Sequence, residues 1–180
     1  MTDTSAFERF VRRYQDMVFG TAVRLLGDPS EAEDVAQTVF LRAFERFETL
    51  RSSPAVGGWL RTVATNLCLN HLKRVRSRYR LFSQQRPGAG DAGPSFEESL
   101  ASPSSQAADL ERRQEHARLE RGIRQLPDHQ RVPLVLFHFQ DRSYGEIAAV
   151  LGVSLAKVKT DIHRGRLALR RLMEASDDAR

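Results

Sequence analysis

Two stretches of the sequence concentrate cationic side chains. Lys73, Arg74, Arg76, Arg78 and Arg80 crowd the first. Lys157, Lys159, Arg164, Arg166, Arg170 and Arg171 crowd the second, diluted by Asp161. Clusters of this kind bind phosphate, and a net charge of +5 fits a polyanionic partner. Just ahead of the first cluster, Thr62, Asn66, Asn70 and Lys73 fall three or four residues apart, with Trp59 before them. An amide side chain both donates and accepts, so Asn66 and Asn70 can read base edges. An aromatic beside a basic track captures unpaired bases by stacking and phosphate attraction. A core tryptophan followed by two exposed asparagines would give the same pattern.

Catalytic chemistry finds no comparable support. No glycine-rich loop has the spacing that cradles phosphates, and no serine, histidine and acid group together. Cys68 and His71 lie three residues apart on a helical pattern, but two ligands do not close a metal site. A buried thiol beside a partly exposed histidine accounts for them. The expectation is a binding protein rather than an enzyme, with no cofactor, no metal and no small-molecule substrate.

These side chains need elements to position them. The 180 residues are 41% hydrophobic, enough for a folded core, and 28% charged, too many for a membrane protein. The longest apolar run, Val132 to Phe139, is interrupted by Pro133 and His138 and falls short of the ~20 residues that span a bilayer. Met1 to Phe10 has no apolar signal-peptide core, and the single cysteine fits a reducing compartment. The expected location is therefore the cytoplasm, without membrane insertion.

Apolar residues recur with helical period from Phe7 to Leu26, where Gly27 stops them. Asp28 and Pro29 start a second helix, with Glu31 placed to complete a capping box. Its apolar stripe runs Ala32, Val35, Ala36, Val39, Phe40, Ala43, Phe44 and Phe47. Arg51 to Gly58 reads as turn, and a third helix begins near Trp59. It buries Leu60, Val63, Ala64, Leu67, Leu72 and Val75. Ser83 to Asp109 is rich in Ser, Pro, Gly and Ala and reads as a linker. Free in water such a segment averages roughly 30 Å and can reach about 90 Å. Helical patterns resume from Leu110 to Gln125 and from Asp128 to Phe139. The fold class is all-α, as two small helical domains joined by a flexible linker.

The last part carries the clearest motif. Ser143 and Glu146 form a capping box before Ile147, Ala148 and Leu151. Gly152 closes that helix, with Val153 packed under the turn, and Ser154 caps the next. A short helix, a glycine turn and a basic helix make a helix-turn-helix, whose second helix enters the major groove of DNA. With Val158, Ile162, Leu169 and Leu172 inward, Ala156, Lys157, Lys159, Thr160, His163 and Arg164 point outward. A second exposed face lies on the second helix, where Leu41 stands among Asp34, Gln37, Thr38, Arg42 and Glu45. A lone surface leucine is common, but an apolar anchor with a polar surround is also how a partner helix docks.

Three stretches together resemble the extracytoplasmic-function sigma factors of bacterial RNA polymerase, the two-domain members of the sigma-70 family. They are Glu31 to Phe47 (EAEDVAQTVFLRAFERF), Trp59 to Arg76 (WLRTVATNLCLNHLKRVR) and the region from Leu126 to Arg171. The resemblance spans about Phe7 to Met173. It implies a sigma2-like domain over 1–80, a three-to-four-helix bundle that binds core polymerase and the −10 element. A linker over 81–109, a sigma4-like helix-turn-helix domain over 110–175 and a tail over 176–180 follow. The implied function is promoter-specific transcription initiation: reading duplex DNA at −35 and melting and capturing the −10 element. Asp34, Gln37, Thr38, Leu41 and Arg42 would face the clamp helices of the polymerase β′ subunit, with the β flap as a further contact. Asn66 and the loop before Trp59 would take up a base flipped from the non-template strand, and Trp59, Thr62, Asn70, Lys73, Arg74 and Arg76 would support that strand. Ser154, Ala156, Lys157, Lys159, Thr160, His163, Arg164 and Arg166 would engage the −35 duplex. The partners implied are core polymerase, promoter DNA and an anti-sigma factor.

The sequence departs from the family pattern at Pro133, expected to kink its helix or delay its start, at Asp161 and at Gly165. The competing readings are a stand-alone helix-turn-helix regulator with a helical N-terminal domain, and an RNA-binding adaptor.

Overall fold

A computed structural model describes residues 4–82 and 106–178, with side chains over 4–75 and 110–175. Among the described residues there are eight helices and no strand. They are α1 (Thr4–Leu26), α2 (Pro29–Glu45), α3 (Phe47–Leu50), α4 (Val56–Phe82), α5 (Gln106–Gln125), α6 (Asp128–His138), α7 (Tyr144–Leu151) and α8 (Leu155–Asp178). The linker expected over 81–109 lies outside them between 83 and 105, and its flanks are helical: α4 runs to Phe82 and α5 starts at Gln106. None of these helices is long and apolar enough to cross a membrane.

Helices α1, α2 and α4 pack on one another around Val18, Leu25, Val39 and Leu60, and α6, α7 and α8 around Val135, Leu136, Ile147 and Ile162. Each such aliphatic side chain, removed from water, contributes about 2 kcal/mol. Local chemistry sets the boundaries. Gly27, at φ 78°, ends α1, and Asp28 accepts from the amides of Ser30 and Glu31 to start α2. The expected reciprocal half of that capping box is replaced: the Glu31 carboxylate lies 3.1 Å from His71 Nε2, tying α2 to α4 at ion-pair distance without hydrogen-bond alignment.

The apolar stripe of α2 does not continue to Phe47. The backbone breaks at Arg46, and Phe47 opens the separate α3, so that its buried ring meets Phe7 and Phe10 edge-on. Phe44, expected inside, is 46% exposed. The third helix starts at Val56, three residues before Trp59, with Gly57 and Gly58 inside it. Val75, expected buried, is 39% exposed. Pro133 does not delay its helix: α6 begins at Asp128 and carries the proline buried within it. Gly165 has a packing reason. A Cβ there would sit 3.0 Å from Leu134 Cδ1 and 3.3 Å from the Gln130 carbonyl, so glycine lets α8 approach α6 closely.

The two helical groups also touch each other, since α1 packs against α5 and α6. At this contact Arg131 is buried. Its guanidinium donates to the carbonyls of Leu25 (3.3 Å) and Leu26 (2.7 Å) at the end of α1, and to the Leu126 carbonyl and the Asp128 carboxylate at the start of α6. Beside it Arg24 pairs with Glu120 through Nε at 2.8 Å and lies 4.7 Å over the Phe139 ring.

Candidate nucleic-acid and polymerase interface

Along α4, the residues expected to read bases share one outward face. Thr62, Asn66, Asn70, Lys73 and Arg74 are exposed, as their spacing on a helix requires. Thr62 has already committed its hydroxyl proton to the Gly58 carbonyl, at 2.9 Å. Trp59 is half-buried against the core, so only part of its ring remains to meet a base. The residues immediately before it are helical rather than a loop, and the turn lies earlier, between α3 and α4. The side chain of Arg76 falls outside the described residues. On the inner side of α4, burial pushes the Cys68 thiol up to about 12, with the neighbouring Glu31 charge adding to the effect. That group stays protonated and inert. No cluster of three or more His, Cys, Asp or Glu among the described residues could hold a metal.

The helix-turn-helix forms as its capping chemistry dictates. Ser143 accepts from the Glu146 amide, while the Glu146 carboxylate accepts from the Ser143 amide at 2.8 Å. The Ser143 hydroxyl, which donates to the Glu146 carboxylate at 2.7 Å, and then the Ser143 amide hold that carboxyl below its usual range. Gly152 adopts the left-handed conformation at the turn (φ 64°), and Ser154 caps α8 by accepting from the Lys157 amide. Val153 is 37% exposed rather than packed under the turn. On α8, Ala156, Lys159, Thr160, His163 and Arg164 are exposed while Val158 and Ile162 are buried.

Two of the expected −35 residues are engaged within the protein. The Lys157 ammonium contacts both carboxylate oxygens of the buried Asp161, at 2.7 and 2.6 Å. Asp161 therefore does more than dilute the basic face: it holds Lys157. Arg166 donates to His138 Nε2 at 3.1 Å and lies over the Phe137 ring. Partial burial, and then the Arg166 charge, lower the pKa of His138 below 6.5.

The face on α2 is open. Asp34, Gln37 and Arg42 are exposed, Thr38 bonds back to the Asp34 carbonyl, and Leu41 is 67% exposed. Leu41 does not stand alone. With Phe7, Val11, Phe19, Phe40 and Phe44 it lines a groove of about 760 Å³ between α1 and α2. Sequence reasoning missed the α1 wall, because Phe7 read simply as part of an inward stripe and Val11 and Phe19 were given no role. It also gave no role to Arg24, Glu120 or Arg131. The available signal was an arginine directly ahead of the apolar run from Val132 to Phe137.

Residues 10–78 match the family described as Sigma-70 region 2, and residues 116–169 match Sigma-70, region 4. The chain is 31% identical over 173 residues to the ECF RNA polymerase sigma factor SigW of Bacillus subtilis, covering 94% of this chain and 89% of that one. It is 34% identical over 169 residues to the ECF RNA polymerase sigma factor SigE of Mycolicibacterium smegmatis, covering 92% and 60%. Against the RNA polymerase sigma-H factor of Pseudomonas aeruginosa the identity is 32% over 178 residues, covering 96% and 88%.

Proposed function

Because the chain belongs to the extracytoplasmic-function sigma factors of RNA polymerase, we propose that it directs that enzyme to promoters through three separate faces and performs no reaction of its own. The groove between α1 and α2 receives core polymerase, at the β′ clamp helices, with Leu41 as the apolar anchor and Asp34, Gln37, Thr38 and Arg42 around it. Deep apolar anchors ringed by polar residues carry most of the energy of such contacts. A further contact, to the β flap, falls to the second helical group. The protein acts in the bacterial cytoplasm, where its polymerase is.

The outward face of α4 holds the −10 element. Flipping a base out of the stack costs a few kcal/mol. Asn66 offsets that cost by hydrogen-bonding the unpaired base, while Asn70, Lys73 and Arg74 hold the strand by its phosphates. The exposed edge of Trp59 lies at the start of the same helix. The first turns of α8 read the −35 duplex. Within them, Ala156, Lys159, His163 and Arg164 are the outward contacts, with Thr160, whose hydroxyl donates to the Ala156 carbonyl at 2.9 Å, beside them. Ser154 serves the helix as its cap, and Lys157 and Arg166 reach phosphate only by exchanging an internal partner for it.

An anti-sigma factor is a second occupant of the α1–α2 groove, since an open apolar surface of this size favours association. Recovery from native cells should yield polymerase under inducing conditions and a different, stoichiometric partner otherwise. Polymerase alone under both conditions would remove that partner from the reading.

The observation that carries the reading is the order of the two sigma-70 matches along one chain, each containing an exposed basic reader helix. The test is transcription reconstituted from bacterial core polymerase, this protein and a pool of promoter fragments, with mapping of RNA 5′ ends. Specific starts with shared upstream elements, lost on Asn66→Ala, are expected. Tight duplex binding without polymerase and no specific initiation would indicate the stand-alone regulator instead.

A further inference from the structure

We infer that Asp161 and Lys157 act as one unit: the buried carboxylate turns the lysine into a fixed, charge-neutral donor that selects a guanine in the −35 element. This rests on the duplex-reading role proposed for α8. A lysine in the first turn of a reader helix ordinarily serves as a mobile point charge. It gains affinity from any phosphate and tells no sequence from another. Lys157 is held differently.

Both its backbone and its side chain are tied down. The Lys157 amide donates to the Ser154 hydroxyl at 3.2 Å, which places the residue in the first turn of α8. Its ammonium contacts both oxygens of the Asp161 carboxylate, at 2.7 and 2.6 Å. The aspartate side chain is 7% exposed, whereas that of the lysine is 50% exposed. Asp161 shares the inward face of α8 with Val158, Ile162 and Gly165. Side chains on a helix lean towards its N-terminus, so a carboxylate one turn further on reaches back to the ammonium. The pair thus forms within a single helix.

The burial is asymmetric, and that decides what the lysine can do. A carboxylate removed from water tolerates its charge only while paired. Were Lys157 to leave for a phosphate, it would strand that charge, so the exchange is disfavoured. Two of the three ammonium donors are spent on Asp161, which leaves the third on a pair of no net charge. Lys157 lies on the same line of α8 as the exposed Thr160 and Arg164, at three- and four-residue spacing, so the remaining donor belongs to the reader face. A fixed N–H without net charge is drawn weakly to phosphate but still hydrogen-bonds an acceptor edge. In the major groove guanine presents two adjacent acceptors, N7 and O6, whereas adenine sets a donor beside its N7.

The experiment uses core polymerase loaded with the full chain and a promoter on which each position of the −35 element is varied in turn. Initiation is read at several salt concentrations. The wild type should prefer guanine at one position by about tenfold. Asp161→Asn releases Lys157 to phosphate. It should flatten that one preference, leave the other positions alone, and steepen the logarithmic salt dependence by about 0.9. Lys157→Met combined with Asp161→Leu replaces the pair by apolar side chains, which keeps the packing. This double variant should lose the same preference without any steepening, and it decides the matter where Asp161→Asn fails to fold. A pair with a structural role alone would move the melting temperature and leave base preference and salt slope in place, and that result would overturn the inference. A wild type without the guanine preference, or a preference that survives both variants, would overturn it as well. Absence of promoter-specific starts from the wild type removes the duplex-reading role itself, whereas specific starts with an unchanged preference remove only the Asp161–Lys157 unit.

Discussion

Along most of its length α1 forms, with α2, the wall of an apolar groove that no described residue covers, whereas its last turn is covered by α5 and α6. Both surfaces belong to one helix and both are apolar in part. They differ in how polar groups are handled. At the covered end a buried arginine meets two carbonyls of α1 and a glycine yields room for it. At the open groove the polar residues Glu33 and Gln37 stay exposed to water. A contact the chain makes with itself satisfies its buried donors, while a contact reserved for a partner keeps them outside until the partner arrives.

The largest effect expected from breaking this contrast is at the covered end. Arg131→Ala strips donors from the Leu25, Leu26 and Leu126 carbonyls and leaves Asp128 unpaired. It should lower unfolding stability by about 3 kcal/mol in urea denaturation. The open groove should respond in the opposite way. Leu41→Asp should weaken binding to core polymerase by about 2 kcal/mol, roughly thirtyfold, while melting as the wild type does. A matching loss of thermal stability would show that Leu41 belongs to the fold rather than to a docking face.

Two smaller predictions sharpen the comparison, because they lie at neither surface. Ser143→Ala removes the cap of α7 and should cost about 1 kcal/mol of stability with binding to core polymerase unchanged. For His138 the folded pKa lies below 6.5, so protonation is disfavoured in the folded state. Its contribution is fully present above the unfolded value and is lost as pH falls through the folded one. Mild acid, from about pH 6.5 downward, should destabilise the wild type slightly more than His138→Gln, because that site is exposed and screened. Melting curves at pH 7.5 and 5.5 would reveal the difference, and equal pH dependence in the two proteins would remove His138 as its source.

Much of the fold was legible because its signals are local. The Ser143–Glu146 box, the Gly152 turn and the Asp28 cap depend on residues within three or four positions of one another, and helical period sorts Val158 from Lys159 without reference to anything distant. The outward faces of α4 and α8 were readable for the same reason. The legible part ended where two elements meet. Lys157 read as a free cation until Asp161 turned out to be buried beside it. Glu31 read as half of a cap until His71 of α4 came within reach. Phe44 read as core because periodicity counts turns and cannot know where the neighbouring helix stops.

The sequence by itself determined most of the helices, the caps at Asp28, Ser143 and Ser154, the order of two sigma-70 regions and which side chains of α4 and α8 face outward. Each of these follows from spacing along the chain and from side-chain chemistry. Only the tertiary structure decided that Leu41 shares a groove with Phe7 and Val11, that Gly165 and Gly27 are glycines for the sake of a neighbouring element, and that Arg131 closes one half on the other. The last depends on atoms about a hundred residues apart in sequence meeting within hydrogen-bond distance. No periodicity encodes such a meeting, because it results from how the helices pack rather than from how any one of them forms.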